Sequence, residues 1–151
     1  MIRRGSHADV PFMRSMLAHA YAWRVNAFEA DIPLTRYVDN WGRAGDVSVI
    51  AHEIGNRIGA AWLRRFTAAE PGYGFVDEAT PELTIAVVPS QRGRGLGREL
   101  MHALLDDARE AGYAQVSLSV EKGSPAVGFY EREGFENVGE SDGGLVMLKR
   151  L

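Results

Sequence analysis

The chain has no cysteine, which removes a disulfide framework, a thiolate-ligated zinc ribbon and catalysis by a thiolate nucleophile. It also lacks an excess of positive charge. Against 20 Asp and Glu stand 17 Lys and Arg, giving a net charge of −3 and an isoelectric point near 5.8. Such a balance gives no electrostatic footing for nonspecific binding to nucleic acid or to an anionic membrane, and neither is expected as a partner. No segment approaches the roughly 20 consecutive apolar residues of a membrane span. The basic start Met1-Ile2-Arg3-Arg4 is not followed by the apolar run of a secretion signal, so the cytoplasm is the expected compartment. His7, His19, His52 and His102 are scattered, with neither His-x-x-x-His nor His-x-x-Glu spacing, and no metal site is expected. His102 and Asp106, four apart on one helix, read as a surface pair.

What is present fits one globular domain spanning 1–151. Of the 151 residues 46% are hydrophobic and 25% charged, close to the soluble average. Folding at this length hides roughly 68% of the surface of the unfolded chain, enough for a core without covalent staples.

Helical spacing of Val10, Met13, Leu17, Ala20 and Tyr21 predicts an amphipathic helix over residues 9–25, opened by Asp9 and Pro11. A second short helix is expected over 33–41, stopped by Gly42 and Gly45. Segments 47–52 and 58–64 flank Gly55-Asn56-Arg57 and read as an antiparallel hairpin. Residues 67–81, with Pro71, Gly72, Gly74 and Pro81, read as a long surface loop. A strand over 82–88 ends at Pro89, helical spacing runs from Leu96 to Ala108 and stops at Gly112, and 115–120 alternates as a strand. This strand, glycine-rich turn, helix, strand unit predicts a parallel pairing of its two strands. A short helix from Pro125 through Glu133 and a last strand over 145–149 complete the chain. The last strand offers an edge for a homodimer.

The most informative segment is Arg92-Gly93-Arg94-Gly95-Leu96-Gly97-Arg98, between the strand and the helix. Glycines let backbone N–H groups approach an anion, the helix start adds positive dipole, and three arginines meet phosphate oxygens. A pyrophosphate or polyphosphate ligand follows. Gly97-Arg98-Glu99 lacks the Lys-Ser/Thr of a P-loop, and Arg98 stands where a dinucleotide fingerprint needs its third glycine.

Residues 85–97, Ile-Ala-Val-Val-Pro-Ser-Gln-Arg-Gly-Arg-Gly-Leu-Gly, resemble the acyl-coenzyme A signature of the GNAT acyltransferase superfamily. Ser124-Pro125-Ala126, Phe129-Tyr130 and Gly134-Phe135 resemble that family's later Asn-Pro-Ala…Leu-Tyr…Gly-Phe element, with Ser124 where the family usually has asparagine. The resemblance implies a single α/β domain with a mixed, mostly antiparallel twisted sheet flanked by helices and a central parallel pair that splays. It implies acetyl-CoA or another acyl-CoA as cosubstrate, no metal, and transfer of an acetyl group to a primary amine, free or on a peptide, by direct attack in a ternary complex. A noncatalytic acyl-CoA binding module of the same fold stands as the alternative.

By the same resemblance Val87, Val88, Arg92, Gly93, Arg94, Gly95, Leu96, Gly97, Arg98 and Ser124 hold the cosubstrate, with the Val87 and Val88 N–H groups at the thioester oxygen. Tyr130 is the general acid toward the departing thiolate. Acyl transfer to an amine also needs a base. Glu82 shares a strand face with Thr84, Ala86 and Val88, and a solvated acid at the strand entrance, or Asp77 or Glu78 as base, are the other readings. Trp23, Tyr37, Trp41, Tyr73 and Phe75 with Asp31, Asp39 and Asp77 suit an aromatic and acidic pocket for a cationic amine.

Overall fold

The computed structural model describes residues 1–23, 32–141 and 143–151. Val25, at the end of the expected first helix, and Asp31 lie outside them. One seven-stranded sheet runs in the order β1-β2-β3-β4-β5-β7-β6, where β1 is Ile2–Arg4, β2 Val47–Glu53, β3 Asn56–Arg64, β4 Glu82–Val87, β5 Gln115–Glu121, β6 Glu136–Ser141 and β7 Gly144–Arg150. Among the described residues only β4 and β5 pair in parallel, and the other five pairings are antiparallel.

Helix α1, Val10–Ala20, covers one face with Met13, Met16 and Leu17 buried. Helices α2, Leu96–Glu110, and α3, Ala126–Arg132, belong to the other face. Leu96, Leu100, Met101, Leu104, Leu105 and Ala108 of α2 fall on one stripe of that helix and enter its core. Because both faces are covered, β3 is buried continuously from Ile58 to Arg64.

Asp9, fully buried, ties three elements together. Its carboxylate accepts from Arg3 at 2.8 Å, from Arg57 at 2.7 Å and from the Ser6 N–H at 2.8 Å, joining β1 and β3 to the start of α1. The Arg3 hydrogen bond leads in holding this carboxyl well below the usual carboxylate range, Arg57 and Ser6 add to it, and burial opposes it.

Four expectations need correction. The helix expected over 33–41 is one tight turn, Leu34–Tyr37, because β3 side chains take the carbonyls a longer helix would use. Trp62 Nε1 donates to Tyr37 O at 3.1 Å, and Arg64 Nη1 to Arg36 O at 3.1 Å and Asp39 O at 2.5 Å. Arg64 is itself held by a buried bidentate pair with Asp46 at 3.1 and 2.8 Å. The hairpin turns at Ile54-Gly55, both with positive φ, so β3 begins at Asn56. β6, whose sequence has no apolar alternation, forms by pairing with β7. That pairing places β7 between β5 and β6, so the last strand offers no edge; the edges are β1 and β6.

Candidate active site

The parallel ladder between β4 and β5 has one register pair, Glu82 opposite Ser117, with the Ser117 N–H on Pro81 O at 3.0 Å. Beyond it the strands part. A cavity of about 830 Å³ occupies the opening, lined by Ile85, Ala86 and Val87 of β4, Ser119, Val120 and Glu121 of β5, the 91–98 loop, α3, and His19, Ala20 and Trp23 at the end of α1.

The loop is shaped to receive an anion. Gly93 and Gly95 have φ of +81° and +80°, a left-handed conformation that L side chains rarely adopt, and open space where a Cβ would stand. Gly95 caps α2 without a side-chain acceptor, so the N–H groups of its first turn have no helical partner. Glycine at the cap keeps side-chain bulk from the start of α2, and the positive end of the helix adds attraction for negative charge. Arg92 and Arg98 line the same cavity. Arg92 Nε donates to Val87 O at 3.4 Å, and Arg98 stands 3.9 Å from Glu133. Donors, dipole and guanidinium charge at one end, and an apolar passage between strands at the other, fit a pyrophosphate followed by a slender thioester arm.

Of the residues expected at the cosubstrate, Val87, Arg92, Gly93, Gly95, Leu96, Gly97, Arg98 and Ser124 are brought to this cavity, as is Tyr130. Two depart from the expectation. The Val88 N–H donates to Ile58 O at 2.9 Å, so it belongs to the β3–β4 ladder; alternation turns the Val87 N–H the other way, into the gap. Arg94 turns from the cavity to pair with Glu53 of β2 at 3.1 Å and with Gln91. Ser124 Oγ accepts the Ala126 N–H at 3.1 Å, closing the start of α3.

Tyr130 is buried against Phe129 and Phe135, with ring centroids 5.3 and 5.9 Å away. Burial pushes its hydroxyl up to about 12, so it carries its proton throughout the neutral range. Glu82 is 1% exposed and does not line the cavity. Its Oε2 accepts from Tyr37 and, at 3.5 Å, from Tyr21, and its Oε1 from the Gly74 N–H at 2.8 Å. It is therefore not the solvated acid of one reading. Tyr21 also lies 3.3 Å from Thr84 Oγ1. Burial first, and the Glu82 charge second, raise both tyrosine hydroxyls well above their ordinary value. Ser117 Oγ, on the strand position opposite Glu82, is buried without a hydrogen-bond partner among the described residues.

Asp77 caps the Ala79 and Thr80 N–H groups, and Glu78 accepts the Ala68 N–H; neither lines the cavity. Among the described residues the expected aromatic and acidic pocket is not assembled, and Phe75 lines a separate cavity with Val76 and Val138. Tyr37 and Tyr73 are core around Glu82, Trp41 stacks on Arg64 at 5.1 Å, and Asp39 pairs with Arg14 at 3.6 Å, leaving Trp23 at the cavity. His102 pairs with Glu133 across two helices at 2.5 Å, while Asp106 pairs with Arg109. Sequence spacing did not single out Tyr21 or Glu133, whose partners lie 61 and 31 residues away.

Residues 13–135 match the acetyltransferase (GNAT) family. The chain belongs to this family. Over 71 residues, 46% of the chain, this GNAT protein is 38% identical to the L-methionine sulfoximine/L-methionine sulfone acetyltransferase of Pseudomonas paraeruginosa, and the match spans 40% of that relative's length. Its whole fold superposes on a ribosomal-protein-alanine N-acetyltransferase from Brucella melitensis with a TM-score of 0.73 and 27% identity, covering 100% of this chain and 99% of the other. The yncA protein of Salmonella typhimurium, solved with acetyl-CoA, has the same fold at a TM-score of 0.71 and 22% identity, covering 100% and 93% of the two chains. In this GNAT domain, among the described residues, no helix is long and apolar enough to cross a membrane and no three His, Asp or Glu side chains cluster to hold a metal.

Proposed function

We propose that the protein transfers an acetyl group from acetyl-CoA to a primary amine by direct attack in a ternary complex. The opening between β4 and β5 carries this reading, because it joins the anion-binding loop to the proton-bearing Tyr130 in one cavity.

The N–H groups of Gly93 to Arg98 and the Arg92 and Arg98 guanidinium groups hold the pyrophosphate of the cosubstrate. The Val87 N–H, aimed into the gap, donates to the thioester oxygen as it gains negative charge. Attack needs a neutral amine, and Glu82 receives the acceptor's proton. Being sealed from the cavity, it does so through the Tyr21 hydroxyl, which is itself buried off the cavity wall and passes its own proton to Oε2 as it takes one from a water that the ammonium protonates. When the tetrahedral species collapses, the C–S bond breaks and Tyr130 gives its proton to the leaving sulfur. The amine's second proton passes by way of solvent to the Tyr130 phenolate, the proton held by Glu82 leaves to solvent, and the products are the amide and coenzyme A.

The relative from Pseudomonas paraeruginosa is named for L-methionine sulfoximine and L-methionine sulfone and the Brucella melitensis protein for an alanine of a ribosomal protein, and both names are compatible with the amine acceptor proposed here. Calorimetry with acetyl-CoA, followed by acetyl-transfer assays over amines, amino acids and peptides, tests the reading. Micromolar binding and turnover support it. Binding without turnover across the panel makes the protein a noncatalytic acyl-CoA module. Gly95→Val should abolish binding and preserve the circular dichroism of the fold, since the left-handed φ is the only local obstacle.

A further inference from the structure

Glu121, the last residue of β5, is exposed and lines the cavity between the strands. Val116, Leu118 and Val120 enter the core beneath α2 and α3, so alternation turns Ser117, Ser119 and Glu121 to the opposite face, which α1 covers. His19, Ala20 and Trp23 at the end of α1 line the cavity on that side, whereas the 91–98 loop and α3 line it on the other. The cavity therefore passes through the sheet, and Glu121 stands on the side away from the phosphate-binding loop.

The strand register fixes its height. Glu82 faces Ser117, and four residues further along each strand, roughly 13 Å on, come Ala86 and Glu121. Val87, whose N–H points into the gap, follows Ala86. Glu121 is thus level with the position assigned to the thioester oxygen, while Glu82 lies back at the fork.

Charge divides the cavity in the same way. Arg92, Arg98 and Arg132 lie with the loop and α3, and Glu133 beside them is taken up by His102 at 2.5 Å. On the α1 side the ionisable groups of the described wall are His19 and Glu121. Among the described residues the Glu121 carboxylate has no hydrogen bond or ion pair, and Lys122 next to it turns to Glu140 at 3.3 Å. An unpaired anion in a partly enclosed wall favours a cation opposite it.

An acceptor that meets the thioester from the α1 side has its nitrogen in the opening and its substituent trailing past Glu121. We infer that Glu121 determines acceptor specificity by pairing with a second cation, an ammonium or guanidinium a few bonds from the reacting amine. The inference rests on the acetyl-transfer reading. Glu121 serves the second cation and not the reacting nitrogen, because a carboxylate paired to the reacting ammonium would hold its proton in place, and that proton leaves toward the fork by way of Tyr21.

The test is the initial rate of acetyl transfer by the full chain, with acetyl-CoA and three acceptors that share a four-carbon chain: putrescine, butylamine and 4-aminobutyrate, ending in ammonium, methyl and carboxylate. The expected kcat/KM for putrescine is at least about 10-fold above butylamine, with 4-aminobutyrate lowest, as one charge-assisted contact provides. In Glu121→Gln the putrescine-to-butylamine ratio should fall to within about two-fold of unity, the allowance for putrescine's two equivalent amines, and Glu121→Asp should restore part of it. Added salt should lower the wild-type ratio and leave that of Glu121→Gln unchanged. Equal rates with putrescine and butylamine in the wild-type protein, or a preference that survives Glu121→Gln, overturns the inference and leaves acetyl transfer standing. A fall in acetyl-CoA affinity in Glu121→Gln also overturns it, by assigning the carboxylate to the cosubstrate. Binding of acetyl-CoA with transfer to none of the three overturns the inference, and the wider amine and peptide panel then decides whether acetyl transfer falls with it.

Discussion

Glu82 and Ser117 stand opposite each other at the single register pair that joins β4 to β5. Everything the site does depends on the pairing stopping there. The strands meet beside the buried carboxylate, and their divergence exposes the Val87 backbone to the cavity that Tyr130 closes from the other side. One further pair along the ladder would carry the parallel pairing into the opening and narrow the passage for a thioester.

The two neighbouring arginines of the glycine loop should separate cleanly. Arg92 lines the cavity, whereas Arg94 is committed to Glu53 and Gln91. Arg92→Ala is expected to weaken acetyl-CoA binding about 10-fold, in line with loss of one charge-assisted phosphate contact. Arg94→Ala should leave the affinity within about two-fold, because an exposed ion pair contributes little. Calorimetry on both variants checks the contrast.

For Tyr130, the expected outcome of Tyr130→Phe is a fall in kcat of ~10²-fold or more with acetyl-CoA affinity unchanged, since the ring packing against Phe129 and Phe135 survives and only the proton is lost. Burial raises the hydroxyl's pKa to about 12, so the proton donor persists through an assay run up to pH 10. An equal fall in affinity would make the residue structural.

Glu82→Gln keeps the volume of the side chain and removes the proton acceptor. Turnover is expected to fall about 10²-fold with acetyl-CoA affinity unchanged. Tyr21→Phe, which leaves Glu82 its contacts with Tyr37 and Gly74, should reproduce much of the loss if the proton travels by way of the Tyr21 hydroxyl. Full activity in Tyr21→Phe would point to a different route.

Asp9 supplies an acid-sensitive element remote from the chemistry. Its folded-state pKa is depressed, first by the Arg3 hydrogen bond, so the stability it contributes is present above its unfolded value of about 3.9 and is lost as the pH falls below that. Asp9→Asn is expected to cost about 2 kcal/mol at neutral pH, lowering the melting temperature by roughly 5 °C, and to flatten the acid limb of the stability curve. Thermal melts between pH 3 and pH 7 measure both.

Sequence alone determined the local elements with strong periodicity and marked the two segments whose residues line the cavity. The α2 stripe from Leu96 to Ala108, the β5 alternation and the glycine loop are short-range features: each is decided by residues within a turn or two of one another. Tyr130 and Arg92 were legible for the same reason, since each sits in a contiguous motif.

Tertiary structure decided the rest, because it depended on partners far along the chain. The turn at Leu34–Tyr37 stays short because Trp62 and Arg64 claim its carbonyls. β6 becomes a strand through β7, which moves the last strand off the edge of the sheet. Arg92 and Arg94 are indistinguishable by spacing, and only the position of Glu53 on β2 separates them. Glu82 is at the face its alternation predicts, yet whether it meets solvent or substrate was settled by Tyr21, Tyr37 and Gly74, which reach it from 61, 45 and 8 residues away. A one-dimensional pattern records which face a side chain takes; what lies across from that face is a property of the folded chain.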